Sequence, residues 1–282
     1  MLFPIDDYAL SPDGTGAVIV LRDAAARALR FDDGRSRRLG RLHWDTGGHR
    51  VGLSGQRDCV ISARYQSAEV RCVDIRDGSL RWSQPVARGA QRIVVDDVND
   101  RCFVLYESAP FCVLNLDNGT LISRGTRARV LAPWSANATI HAVGRSLQCT
   151  NGDSVAWRLQ LPRPAMHVYF AHGYALVATM GGPLVAVELV SGKVAWTHAE
   201  KGAHYQDIAA LDLRIFAIRF HYSGGAGVAI DEFTLDGMKS GERQLGDIGL
   251  GVNFALGGAC VCLIGGVLLD TRTGAARLHF SW

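Results

Sequence analysis

The chain has 282 residues, and its 30 Lys and Arg nearly balance 27 Asp and Glu. A net charge of +3 gives no electrostatic basis for nucleic acid as the main partner. No apolar run approaches the ~20 residues of a membrane-spanning helix, and the opening MLFPIDDYAL has neither the basic nor the apolar region of a secretory signal.

Residues 1–40 read as four strands, at about 8–10, 17–21, 24–31 and 35–39. Propensity alone would favour helix over AAARALRF, but its place just before Asp32-Asp33-Gly34 predicts a third strand. Residues 41–84 hold the clearest copy of the pattern, CVDIRDGSLRW at 72–82: a strand, a tight Asp77-Gly78 turn, and a strand carrying Trp82. Residues 85–125 align with it, Arg92 against Arg50 and Cys102 against Cys59, and Tyr106-Glu107-Ser108-Ala109 matches Tyr65-Gln66-Ser67-Ala68. Residues 126–160 are shorter and less regular, and Leu161-Pro162-Arg163-Pro164 links them to a regular copy at 161–200. Residues 201–245 carry the longest insert, HYSGGAG at 221–227, and residues 246–282 complete the series.

The turn glycines of these copies are Gly34, Gly78, Gly119, Gly152, Gly192, Gly237 and Gly274, separated by 44, 41, 33, 40, 45 and 37 residues. A repeat of roughly 40 residues, each a four-stranded unit, predicts an all-β chain: a seven-bladed β-propeller of four-stranded antiparallel blades, one domain over 1–282. The second strand of each copy is nearly all apolar, as in AVIVL, CVISA and ALVAT, which fits strands covered on both faces by neighbouring blades. Outer strands such as 79–83 alternate and carry the charge.

With Asp74-Ile75-Arg76-Asp77-Gly78 followed by Trp82, and Glu188 to Gly192 followed by Trp196, the repeat resembles that of the quinoprotein (PQQ-like) propellers. The SPDG turn at 11–14 is similar to turns of WD40-like propellers, without their Gly-His and Trp-Asp pairs. The resemblance implies that the repeat Trp locks one blade to the next. It does not extend to activity: the cofactor-using dehydrogenases of that family have eight blades and an adjacent-cysteine disulfide, and no Cys-Cys pair occurs here. No cofactor is expected. A cofactor-free relative is the outer-membrane assembly lipoprotein of this fold, but the chain shows no lipobox, so the same task is not expected.

The sequence offers little catalytic chemistry. It contains no G-x-S-x-G elbow, no HExxH and no P-loop. Its seven cysteines sit mostly in apolar strand patterns, which points to free thiols in a reducing, cytoplasmic compartment. His198, His204 and His221 could meet Asp207 at a metal, but without a second ligand pair packing histidines are the stronger reading, and no metal is expected. Ser223 beside His221 lies in a glycine-rich loop, a poor place to preorganise a nucleophile.

One constellation follows from the repeat itself. In a propeller, links from a fourth strand into the next first strand gather at one face with the links between second and third strands. These positions carry Arg50, Arg92, Arg129, His167 and Tyr205, and Tyr65, Tyr106, His221 and Tyr222, with Trp134 in a nearby loop. Arg and Tyr are enriched at interface hot spots, and the guanidinium fork suits carboxylates. The expected function is therefore a non-catalytic, monomeric protein-binding propeller whose partner is acidic at the contact, in the role of a toxin-neutralising immunity protein or an assembly scaffold. The alternative is an enzyme or binder of a sugar or acidic metabolite at the channel mouth.

Overall fold

A computed structural model describes residues 5–10, 16–21, 25–30, 35–42, 49–135, 137–152, 154–221, 227–246, 252–255, 260–263, 267–273 and 275–279. The contacts divide the chain into two compact units, Met1–Ala128 with Leu278–Trp282, and Arg129–Arg277. Among the described residues the one helical element is a 3-10 turn at Asp97–Asn99, and no helix is long and apolar enough to cross a membrane.

The first unit holds three four-stranded antiparallel sheets among its described residues. They are β1 (Ile5–Leu10), β2 (Gly16–Leu21), β3 (Ala25–Arg30) and β4 (Ser36–Arg41); then β5 (His49–Ser54), β6 (Cys59–Arg64), β7 (Glu69–Asp74) and β8 (Leu80–Pro85); then β9 (Ala90–Asp96), β10 (Arg101–Tyr106), β11 (Cys112–Asn115) and β12 (Leu121–Arg124). The alanine-rich stretch is strand, β3, because pairing on both sides with β2 and β4 outweighs local propensity.

Four more sheets of the same plan follow, and all of their residues but the end of the last strand belong to the second unit. Their strands are β13 (Val130–Pro133), β14 (Ala138–Val143), β15 (Ser146–Asn151) and β16 (Ser154–Gln160); β17 (Ala165–Ala171), β18 (Tyr174–Thr179), β19 (Leu184–Glu188) and β20 (Val194–His198); β21 (Ala203–Leu211), β22 (Arg214–His221), β23 (Val228–Thr234) and β24 (Lys239–Gly246); and β25 (Val252–Ala255), β26 (Cys260–Leu263), β27 (Val267–Asp270) and β28 (Ala276–His279).

Every sheet is a meander in chain order, so each has an upper end, carrying the link between its second and third strands, and a lower end with the other two hairpins. The cores lie between neighbouring sheets. Ile61, Cys72 and Trp82 of the second sheet pack with Ile93, Val104 and Leu114 of the third, and Leu176, Leu184 and Ala186 pack with Tyr205, Ile215 and Phe233. Second strands are buried over most of their length, as in β6 and β18, which accounts for their lack of polar alternation. Burial of each such Val, Leu or Ile contributes roughly 1.5–3 kcal/mol.

The turn and the Trp of the repeat form one device. The amide of Gly78 donates to the carbonyl of Asp74 and that of Gly119 to Asn115, both 2.9 Å, and each glycine has a positive φ while the preceding Asp or Asn does not. This is a hairpin turn closed by a left-handed glycine that donates four residues back, with a bulge just beyond it that aims the next side chain. The indole nitrogen of Trp82 donates to the carbonyl of Leu116 in the following sheet at 2.8 Å. Trp157 does the same to Leu189 at 2.8 Å, and Trp196 to Leu235 at 2.9 Å. The glycine of the receiving turn lies flat against the ring: a Cβ on Gly119 would stand 2.5 Å from Trp82. In β4 and β24, which lack the Trp, an arginine supplies the donor. Arg37 reaches the carbonyl of Arg76, and Arg243 that of Thr271. Gly34, Gly274 and the turn at 11–14 lie outside the described residues.

Candidate functional site

The upper ends of the second and third sheets border a cleft of about 630 Å³. The link from β6 to β7 supplies Arg64, Tyr65 and Gln66, the link from β8 to β9 supplies Arg88 and Gly89, and the link from β10 to β11 supplies Glu107, Ser108 and Ala109. The Tyr65 hydroxyl donates to Glu107 Oε2 at 2.8 Å. That bond and the nearby carboxylate charge favour the protonated phenol and raise the pKa of Tyr65. The backbone beneath is fixed: the Gly89 amide donates to the Tyr65 carbonyl at 2.7 Å, and the Glu107 amide to the Gly89 carbonyl at 3.4 Å. Two arginines therefore face one glutamate whose carboxylate already accepts a hydroxyl.

Of the residues expected at a binding face, Tyr65 is exposed and lines this cleft. Arg50 is close by, but its Nε donates to the Gln91 carbonyl at 2.8 Å, so it ties β5 to the entry of β9. Arg92 is half-buried on β9. Tyr106 is a correction: it is 4% exposed, with its hydroxyl 3.2 Å from Cys112 Sγ, and burial raises its pKa. Counted from Cys59 and Cys102, Tyr106 takes the register place of Ala63, which also points into the core. Tyr65 lies two residues further on, past the end of its strand.

In the second unit, Arg129 is exposed at the entry to β13, and His167 is half-buried on β17. Trp134 is exposed but belongs to the link between β13 and β14, at the lower end, opposite to the expected one. His221 ends β22 at the upper end, 3.4 Å from Glu200. Tyr205 is a further correction: it is 1% exposed and donates to Asp231 Oδ2 at 3.0 Å. Burial, followed by the charge of Asp231, raises its pKa. Tyr222 lies outside the described residues.

Tyr205 is one member of a charged network built into the sheet β21–β24. Arg219 on β22 is 1% exposed and contacts Asp231 at 2.8 Å, Glu200 at 2.6 Å and Glu242 at 2.8 Å. Lys239 reaches Asp231 at 3.0 Å, Glu200 at 3.3 Å and Glu242 at 2.6 Å. Burial disfavours both cations, but their carboxylate partners outweigh it and raise both pKa values. The hydrogen bond from Lys239 depresses Glu242 in turn. Glu200, Asp231 and Glu242 bring donor atoms within 4.8 Å of one another, a possible set of metal ligands. Arg219 and Lys239 already occupy the space between these carboxylates and offset their charge, so the donor set does not fit a cation. The histidines pack as side chains: His198 lies edge-on to Phe233 at 4.8 Å, His204 stacks on Phe220 at 5.4 Å, and burial lowers the pKa of both.

No protein-family model matches the chain, and no curated protein matches it in sequence. Solved structures do match its course. BamB from Moraxella catarrhalis is 15% identical with a TM-score of 0.66, over 95% of this chain and 83% of its own. Sqt1 of Saccharomyces cerevisiae is 9% identical with a TM-score of 0.72, over 99% and 85%. The computationally designed Ika8 protein is 10% identical with a TM-score of 0.68, over 98% and 83%. Identities this low speak for fold alone, and the fold they share with this all-β chain is the β-propeller.

Proposed function

We propose that the chain is a non-catalytic protein-binding propeller: seven blades of the quinoprotein-like repeat, closed into a ring, that grip an acidic surface of a partner with their upper face. The observation that carries this reading is the cleft between the second and third sheets, where Arg64, Tyr65 and Arg88 stand on hydrogen-bonded backbone outside any core. In a ring, upper ends gather on one side, so Arg50, Arg92, Arg129, His167 and His221 would join Tyr65 there. Tyr106 and Tyr205 serve the interior instead, and Trp134 the other side. On this reading the protein is a cytoplasmic monomer until its partner arrives, in the role of a toxin-neutralising immunity protein or an assembly scaffold.

The test is affinity capture from the native host with the full chain as bait, followed by mass spectrometry and native mass measurement. A stoichiometric protein partner is the expected result. A chain that instead carries a bound small molecule, with no protein partner, would overturn the reading in favour of an enzyme or metabolite binder. The size of the cleft, about 630 Å³, lies within the range of small-molecule sites and keeps that second reading concrete.

A further inference from the structure

Each fourth strand in this chain is an edge, since it ends the order of its sheet. An edge offers unpaired main-chain donors and acceptors, and proteins blunt it with charge, burial or brevity. In β8 this is done with two side chains. Arg81 donates to Asp74 Oδ2 at 3.1 Å, and Trp82 is buried and bonds the Leu116 carbonyl. Counted from the turn glycines Gly78 and Gly119, β12 has Ile122 in the place of Arg81 and Ser123 in the place of Trp82. The register agrees: Trp82 pairs with Cys72 on β7 and Ser123 with Val113 on β11, each beside a bulge.

β12 thus has neither anchor. Among the described residues Ser123 makes no side-chain hydrogen bond, and all four residues of β12 are exposed. Leu121 is 44% and Ile122 55% exposed. Consecutive strand residues point to opposite faces, so neither face of β12 is covered. By contrast β4, β8, β16 and β20 each keep a buried or half-buried side chain. Pairing with the third strand carries on past β12: the Gly125 amide donates to the Phe111 carbonyl at 3.0 Å, and the Phe111 amide to the Thr126 carbonyl at 3.5 Å. The open edge therefore runs over residues 121–126, about 20 Å of extended chain.

Its charge is of one sign. Residues 121–127 hold two arginines and no acid. Arg124 ends β12 and Arg127 follows it; both are exposed, and among the described residues neither makes an ion pair or a hydrogen bond. A second copy of the chain is a poor occupant. Two-fold antiparallel pairing would bring the arginines of both copies onto one short ladder with no carboxylate between them. A strand that carries acidic residues is complementary.

We propose that β12 is a docking edge, at which an extended segment of the partner protein adds a fifth strand to the third sheet. Its main chain continues the ladder and supplies affinity, while its side chains supply choice: apolar groups lie on Leu121 and Ile122, and a carboxylate meets Arg124. The proposal rests on the protein-binding reading above. It puts the recognised segment at the margin of the upper face, where β12 ends.

The probe is a fluorescein-labelled hexapeptide of sequence VEVTVE, titrated with the full chain and followed by fluorescence anisotropy. Saturable binding that weakens as salt rises is expected. Ile122→Lys, which blunts the edge, and Arg124→Glu, which reverses its charge, should each lower affinity about tenfold. The peptide VEPTPE, whose prolines cannot donate along a ladder, should not bind. Val194→Lys, on the edge strand β20 of another sheet, should leave affinity within about twofold. The absence of VEVTVE binding, or equal losses in Ile122→Lys and Val194→Lys, would overturn the proposal. So would a dimer in native mass measurement that Ile122→Lys dissolves, because the edge would then belong to a second copy. A captured partner that binds both Ile122→Lys and Arg124→Glu normally would sink the edge and spare the protein-binding reading. Binding of VEVTVE at β12 with no partner captured would do the reverse.

Discussion

At its lower end the junction between the second and third sheets is sealed. Trp82 bonds the Leu116 carbonyl and lies on Gly119, while Arg57 gathers Asp97, Asp100 and Asp117 from two links of the third sheet. At the upper end the same two sheets border a cleft in which Tyr65 and Glu107 bond each other and Arg88 bonds nothing described. The contrast separates two uses of one junction. The lower end spends its arginines on its own carboxylates and its aromatic on its own backbone; the upper end leaves a cation facing solvent. Cohesion of the pair should therefore respond to changes below, and recognition to changes above.

The largest effect should come from Trp82→Ala, which removes an interior ring and should lower the free energy of unfolding by about 3–5 kcal/mol in denaturant titrations. Trp82→Phe keeps the ring but loses the bond to Leu116 and should cost about 1 kcal/mol. In either variant the folded fraction should still bind the captured partner; loss of that binding would break the division between the two ends. Gly119→Ala comes next, since the new methyl meets Trp82 and the φ of +73° is strained for alanine, a cost of about 1–3 kcal/mol.

A pH effect sharpens the same contrast. Hydrogen bonds from Arg76 and then Arg81 hold the Asp74 carboxyl well below the usual carboxylate range. A carboxylate depressed by folding adds stability at neutral pH that disappears as acid protonates it. Denaturant midpoints should thus fall from about pH 4 downward, and Asp74→Asn should flatten that fall. An unchanged slope would mean that the turn carries no titrating load. The smallest effect is expected above: Tyr65→Phe and Arg88→Glu should each move stability by less than about 0.5 kcal/mol. A larger shift in either would show that the upper end also holds the sheets together.

The parts of this molecule that were legible in the sequence are those the backbone demands locally. A left-handed turn favours glycine, a doubly covered strand favours apolar residues, and both leave a mark at fixed spacing, so β3 could be placed as strand against its own propensity. The cleft left no such mark. Tyr65 and Tyr106 occur in matching tetrapeptides, yet Tyr65 falls just past the end of β6 and Tyr106 is the last residue of β10, so one reaches the surface and the other the core. Arg88 and Glu107 border one cleft through links of different length, which no alignment of repeats pairs. The Arg219 network is hidden for another reason: second strands read as nearly all apolar, although Arg219 in IFAIRF and Asp231 in VAIDEF are opposite charges inside two adjacent strands. That pairing is a signal for a buried ion pair, and it could have been used.

The indole and guanidinium donors of the fourth strands all point the same way along the chain: from β4, β8, β16, β20 and β24 to the outer turn of the sheet that follows. None of these bonds runs backward, so neighbours are not equivalent. A lesion in a fourth strand frees a carbonyl and a glycine in its successor, while its predecessor keeps its own tether. Inheritance feels this asymmetry too. The residue acceptable in one fourth strand is set by the turn downstream: where that turn keeps a bare glycine an indole can lie on it, and in β4 and β24, which lack the indole, an arginine reaches the carbonyl instead. Variation at these positions should travel in ordered pairs, each donor leading its acceptor by about one repeat.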